Sequence, residues 1–95
     1  MTKYLFENEN NFFTRNVNNL IDGGIIFNYV QDQYGVRLHF RHKEIARDFS
    51  DNISILTGVD GKIDKHTVSY SSGALIIIHA IGKVFEDQLK DLIER

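Results

Sequence analysis

Along residues 36–41, apolar and polar side chains alternate without a break. Val36, Leu38 and Phe40 fall on one side of an extended chain, and Arg37, His39 and Arg41 on the other. This predicts a half-buried strand. Ile45, Phe49, Ile53 and Leu56 then recur at i, i+4, i+8 and i+11, the spacing of an amphipathic helix, which Thr57-Gly58 closes. Residues 61–70 read as the next strand. Val68 and Tyr70 share one side of it while Ile63 has the opposite parity, so a bulge there, or a place for Ile63 at the strand's edge, is expected. Ser71-Ser72-Gly73 reads as a hairpin turn. Ala74 to Ala80, nearly all apolar, reads as a central strand. Gly82 opens a last helix whose face is Ile81, Val84, Phe85, Leu89, Leu92 and Ile93.

The part before residue 36 has a different texture. Residues 1–24 are rich in asparagine, yet Phe13, Val17, Leu20 and Ile21 fall at i, i+4, i+7 and i+8. They line one face of a short helix, capped by Asn10 or Asn11 and ended by Asp22-Gly23-Gly24. A helix this short is marginal alone and must dock on its own domain, on a twin chain or on another protein. Docking on its own domain is the expectation. Ile25 to Val30, rich in β-branched and aromatic residues, is a strand, and residues 31–35 are a turn. The chain therefore divides into an N-terminal amphipathic extension, 1–24, and a domain, 25–95.

From residue 34 on, the predicted order is strand, helix, strand, strand, helix. A right-handed strand–helix–strand unit whose following hairpin returns the third strand between the first two is the ferredoxin-like arrangement. The expected fold is an α+β sandwich, an antiparallel sheet with two helices on one face, with an added N-terminal helix and strand. The usual closing strand is missing, which leaves one edge of 36–41 unpaired. Strand 25–30, joined to 36–41 by a short turn, can fill that place, and so can a twin chain across a two-fold axis.

Composition narrows the function classes. The chain has 95 residues, 11 basic and 13 acidic side chains and a net charge of −2. One domain of this size is expected. The weak acidity argues against non-specific nucleic-acid binding, which draws on many Lys and Arg contacts to phosphate. No cysteine occurs, which excludes a disulfide framework, a thiolate metal site and a cysteine nucleophile. The opening residues, with acids and asparagines among them, lack the apolar core of a signal peptide. The longest apolar run, Ala74 to Ile78, falls far short of the roughly 18 residues of a membrane span. A cytoplasmic chain that assembles as a homodimer is the expectation.

Val36-Arg37-Leu38-His39-Phe40 resembles the arginine-containing first strand of cysteine-free heavy-metal-associated-type domains. Thr57-Gly58-Val59 is similar to the Gly-Val after their first helix, and Ser72 to Ile77 to their Thr-Gly hairpin and third strand. The resemblance covers about residues 34–93. The family's Gly-Arg before the strand is replaced by Tyr34-Gly35, and a second strand arginine by His39. Such domains occur at the N-termini of metal-transporting P-type ATPases and beside them. The resemblance thus implies a ferredoxin-like fold and a place in metal handling, with such an ATPase as a partner.

Candidate chemistry lies chiefly in the histidines. His39, His42, His66 and His79 offer imidazoles, which suit transition metals and haem iron. His39 and His42, three apart, do not share a face of a strand. With a two-residue turn at Ser71-Ser72, His66 stands opposite Ile77, two positions from His79, and the two share a face. A shift of one residue in register breaks this. His39, His66 and His79 are accordingly the candidate metal or haem ligands, against the plainer reading of histidines on a sheet surface. Arg37, His39 and Arg41 form a basic stripe suited to an anionic ligand, a haem propionate or an acidic partner, or simply a solvated face. Base stacking needs exposed aromatics, and Phe40 points inward, so nucleic acid is not expected.

Asp48, Asp51, Asp60, Asp64, Glu86, Asp87, Asp91 and Glu94 read as solvated. Ser71 and Ser72 have no base beside them, and the glycines make no phosphate loop. No enzyme is expected. The sequence points to a non-catalytic accessory or regulatory domain for metal or haem handling. The competing expectation is an interaction module whose N-terminal helix docks on a partner through Phe12, Phe13, Val17 and Leu20.

Overall fold

The computed structural model describes the backbone of residues 12–94 and the side chains of residues 12–84. The elements are α1 (Phe12–Asp22), β1 (Ile26–Asp32), β2 (Gly35–Phe40), α2 (Lys43–Thr57), β3 (Lys62–Asp64), β4 (Thr67–Ser71) and α3 (Ser72–Glu94). The caps expected at Asn10 or Asn11 lie outside the described residues. So do the side chains of Phe85, Leu89, Leu92 and Ile93, and those of Glu86, Asp87, Asp91 and Glu94. The four strands form one antiparallel sheet in the order β1-β2-β4-β3. This is a small α+β domain with three helices on one side of the sheet.

β2 behaves as its alternation requires. Val36, Leu38 and Phe40 are buried, while Arg37 is exposed and His39 half-buried on the far side. The turn at Gln33-Tyr34 folds β1 antiparallel onto β2, with Asp32 paired to Gly35, and the Asp32 carboxylate accepts the Tyr34 N–H at 2.8 Å. Gly35 has φ 146°, and a side chain there would run into the Tyr70 carbonyl oxygen, so the close approach of β2 to β4 requires glycine. α2 ends where expected: Gly58, at φ 73°, donates its N–H to the Ser54 carbonyl at 2.8 Å.

The sequence-based expectation fails between residues 61 and 82. Residues 74–80 are helical, not a strand, and Gly82 lies inside α3 rather than at its start. Ser71 ends β4, and its hydroxyl accepts the Ala74 N–H at 3.1 Å, the contact of a helix N-cap. Ser71-Ser72-Gly73 is therefore a strand end passing directly into a helix. Burial follows the helical period, with Leu75, Ile78 and Gly82 inward and Ile76 and Ile77 outward. The β-branched run looked like a central strand because an apolar stretch of that length fits either element. The hairpin lies earlier, with Lys65-His66 as its turn and Lys65 at φ 55°. That turn resets the parity, so Ile63 pairs with Val68 on the same face without a bulge. The inner neighbour of β2 is consequently β4, at residues 67–71, and not 74–80.

One core joins the layers. Phe13 and Val17 of α1, Ala46, Phe49 and Ile53 of α2, and Leu75 and Ile78 of α3 pack against Val36, Leu38, Phe40, Val68 and Tyr70 of the sheet. The Phe13 ring lies 5.8 Å from Tyr70, 5.9 Å from Phe49 and 5.9 Å from His79, between centroids. α1 thus docks at home.

Tyr70 fills the space that Gly61 leaves, where a Cβ would stand 2.8 Å from its ring. Its hydroxyl is buried near Ser50 without reaching hydrogen-bonding geometry. Burial pushes the phenol up to about 12 from 10.0; the neighbouring Ser50 hydroxyl opposes this and the Asp60 carboxylate adds to it. The unfolded chain loses this proton near pH 10 and the folded chain only near 12, so folding stability falls as pH rises through that window, by about 2 kcal/mol. Tyr70→Phe is expected to be as stable as the parent or more so at neutral pH, because a buried hydroxyl without a partner disappears. It is also expected to lose less stability than the parent between pH 10 and 12. Urea unfolding across that range checks both, and parallel curves for the two proteins would contradict the account.

Candidate functional site

The three helices cover one face of the sheet, and the other face carries no described element. Two rows of side chains cross it. Asn28, His39, Thr67 and Asp64 stand opposite one another in one row, and Val30, Arg37, Ser69 and Lys62 in the next. Polar side chains dominate both rows, as solvent contact requires.

An aromatic ring joins this face through a bulge. The register between β1 and β2 shifts between Ile26 and Asn28. Ile26 stays in the core opposite Phe40, and Phe27 is turned out. Phe27 is 55% exposed as a residue; its ring lies 6.2 Å from the His39 ring, and the Arg41 guanidinium sits over it at 5.5 Å. Arg41 is itself anchored, because its Nε donates to the Gly24 carbonyl at 2.6 Å. Gly24, at φ 75°, belongs to the turn after α1, so the end of α1 fixes the arginine that holds Phe27.

His39 is held from the other flank. Its Nδ1 lies 3.2 Å from the Thr67 hydroxyl. In the tautomer whose Nδ1–H donates to the Thr67 hydroxyl, Nε2 carries the ring's lone pair. Beside this cluster a recess of about 390 Å³ opens near the β1–β2 turn, with Val30, Asp32, Tyr34, Arg37, Lys62 and Ser69 among its walls. That volume lies within the ligand-pocket range. A second groove of about 620 Å³, between α2 and β3, is lined by Lys43, Arg47 and Lys65 against Glu44, Asp48 and Asp64, with no net charge to offer a ligand.

The predicted site residues separate. Arg37, His39 and Arg41 come together on the uncovered face, as their alternation indicated. His66 lies exposed in the β3–β4 turn, where its carbonyl accepts the Phe40 N–H at 2.8 Å. His79 is on α3, half-buried against Phe13 on the opposite side of the sheet. The facing of His66 and His79 across a hairpin is lost with the strand that required it. His42 is the N-cap residue of α2, with no side-chain cap bond. Among the described residues, no group of three or more His, Asp or Glu side chains is placed to hold a metal ion. Phe13 and Val17 are fully buried in the chain's own core, and Phe12 and Leu20 pack half-buried at its margin. Phe27 was missed as a site residue. Its only signal was one apolar side chain too many for a strict alternation in 25–30.

No protein-family model, no curated protein and no solved structure matches this chain. Among the described residues, no helix is long and apolar enough to cross a membrane.

Proposed function

We propose that this chain is a non-catalytic binding domain whose uncovered sheet face receives an anionic ligand or an anionic group of a partner. The observation that carries the reading is the cluster Phe27, Arg37, His39 and Arg41 on a face that no described element covers. Arg37 and Lys62 border the recess, and guanidinium groups suit carboxylate and phosphate oxygens. The strand order β1-β2-β4-β3 supports a ferredoxin-like reading in which the closing strand comes first in the chain. The metal or haem part of the expectation now rests on His39. A place beside a metal-transporting ATPase draws only on the resemblance at 36–40 and 57–59, since Ser72 to Ile77 is helical. In a citrate or pyrophosphate titration followed by amide NMR, the expected shifts fall within 27–30, 37–41 and 67–69, and Arg37→Gln weakens them. Shifts elsewhere, or shifts indifferent to Arg37→Gln, would sink the reading.

A second reading, an interaction module, is favoured by a separate observation. On the outer side of the helices, Ile76, Ile77 and Val84 of α3 are exposed, Ile76 by 70%. Ser72 to Gly82 contains no Asp, Glu, Lys or Arg, so this ridge suits an uncharged apolar surface, and a second copy of the chain is the occupant we assign. Sedimentation is expected to show a dimer that Ile76→Glu converts to monomer. A monomeric parent at high concentration would remove this reading.

A further inference from the structure

We infer that the recess beside the β1–β2 turn takes a sugar phosphate, with the phosphate over Ser69 between Arg37 and Lys62 and the sugar against Tyr34 and Asp32. The inference rests on the reading of this face as an anion-binding surface and gives it a ligand class.

Three observations converge on that class. The first is the order of one row. Arg37 of β2 stands opposite Ser69 of β4, and Ser69 opposite Lys62 of β3. Directly opposed residues lie about 5 Å apart at Cβ, so two cations flank one hydroxyl and both can reach a group placed over it. No carboxylate stands in that row, whose remaining member is Val30. A phosphate can take two parallel N–H bonds from a guanidinium and another charge-assisted bond from an ammonium. The second observation is a gap in the next row, where Asp32, Gly35 and Ser71 stand opposite one another. Gly35 has no side chain, so the row opens at its middle, beside Arg37, and the recess of about 390 Å³ lies there. The Ser71 hydroxyl oxygen accepts the Ala74 N–H, and its own proton can still be donated to a ligand. The third is the rim. Tyr34, 75% exposed, and Val30 offer the C–H face of a sugar ring an apolar wall. One Asp32 oxygen accepts the Tyr34 N–H, and the other is left to accept sugar hydroxyls.

The same observations disfavour the neighbouring classes. A second anionic group on the ligand would meet the Asp32 carboxylate, so a neutral hydroxylated body is preferred to a polyanion. A bare metal ion needs several protein ligands, and no group of three His, Asp or Glu side chains converges among the described residues. A nucleic-acid strand would meet one exposed aromatic ring in the recess, Tyr34, whereas single-strand binding draws on successive aromatics along a basic groove.

Titration of the full chain with ribose 5-phosphate, followed by amide NMR and set beside inorganic phosphate, tests this. The expected shifts fall within 30–37 and 69–71 and at Lys62. Ribose 5-phosphate is expected to bind about tenfold more tightly than inorganic phosphate, because only the ester reaches Tyr34 and Asp32. Arg37→Gln and Lys62→Gln are each expected to weaken binding of the ester about tenfold, at exposed positions where the fold is retained, and His39→Ala to leave it unchanged. Asp32→Asn keeps an oxygen for the Tyr34 N–H and is expected to erase the preference for the ester. Equal affinities for the ester and inorganic phosphate, binding indifferent to Lys62→Gln, or a preference that survives Asp32→Asn overturns the inference. If ribose 5-phosphate fails while the citrate or pyrophosphate titration still marks Arg37, the sugar-phosphate inference alone falls. If both fail, the anion-binding face falls with it.

Discussion

Everything in this domain depends on the ring of Phe13. It is fully buried where α1 meets the rest of the chain, and it touches an aromatic side chain from each of three other elements: Phe49 of α2, Tyr70 of β4 and His79 of α3. Phe40 of β2 extends the cluster through Phe49 at 5.4 Å. Tilted and edge-on aromatic pairs of this kind add about 0.5–1.5 kcal/mol each beyond burial. Truncating such a phenylalanine costs about 3–5 kcal/mol, a large part of the roughly 5–15 kcal/mol that holds a domain of this size. α1, too short to persist alone, is a helix because it supplies this ring.

That placement divides the sheet into two unlike faces. The helices are committed to the side of Val36, Leu38 and Phe40, so the side of Arg37 and His39 is left to solvent. The division also links the two faces mechanically. The turn after α1 presents the Gly24 carbonyl to Arg41, Arg41 covers Phe27, and Phe27 lies against His39. The core helix thus sets the geometry of the candidate site on the far side of the sheet. β1 fills the edge of β2 and carries the bulge that supplies the ring.

Much of this was legible in the residues. The alternation at 36–41 identified β2 and its basic stripe, the spacing at 45–56 identified α2, and Phe13 and Val17 marked the buried side of α1. Two things were not legible, each for a physical reason. The run from Ala74 to Ala80 is apolar on all sides, so periodicity could not separate a buried strand from a helix. What decides it is the Ser71 cap and the place for Leu75, Ile78 and Gly82 under α1 and beside α2. Phe27 was hidden because a bulge breaks the two-residue period on which face assignment rests. The candidate metal site scattered for the first reason, since its histidines were brought together by a strand that is a helix.

The most direct test of the divided sheet is solvent paramagnetic relaxation, measured for side-chain protons along β2 with a neutral gadolinium chelate. The account predicts strong relaxation at Arg37 and Phe27, partial relaxation at His39, and protection at Val36, Leu38, Phe40 and Phe13. Comparable relaxation on both sides of β2, or protection of Arg37 and His39 in the free protein, would contradict it.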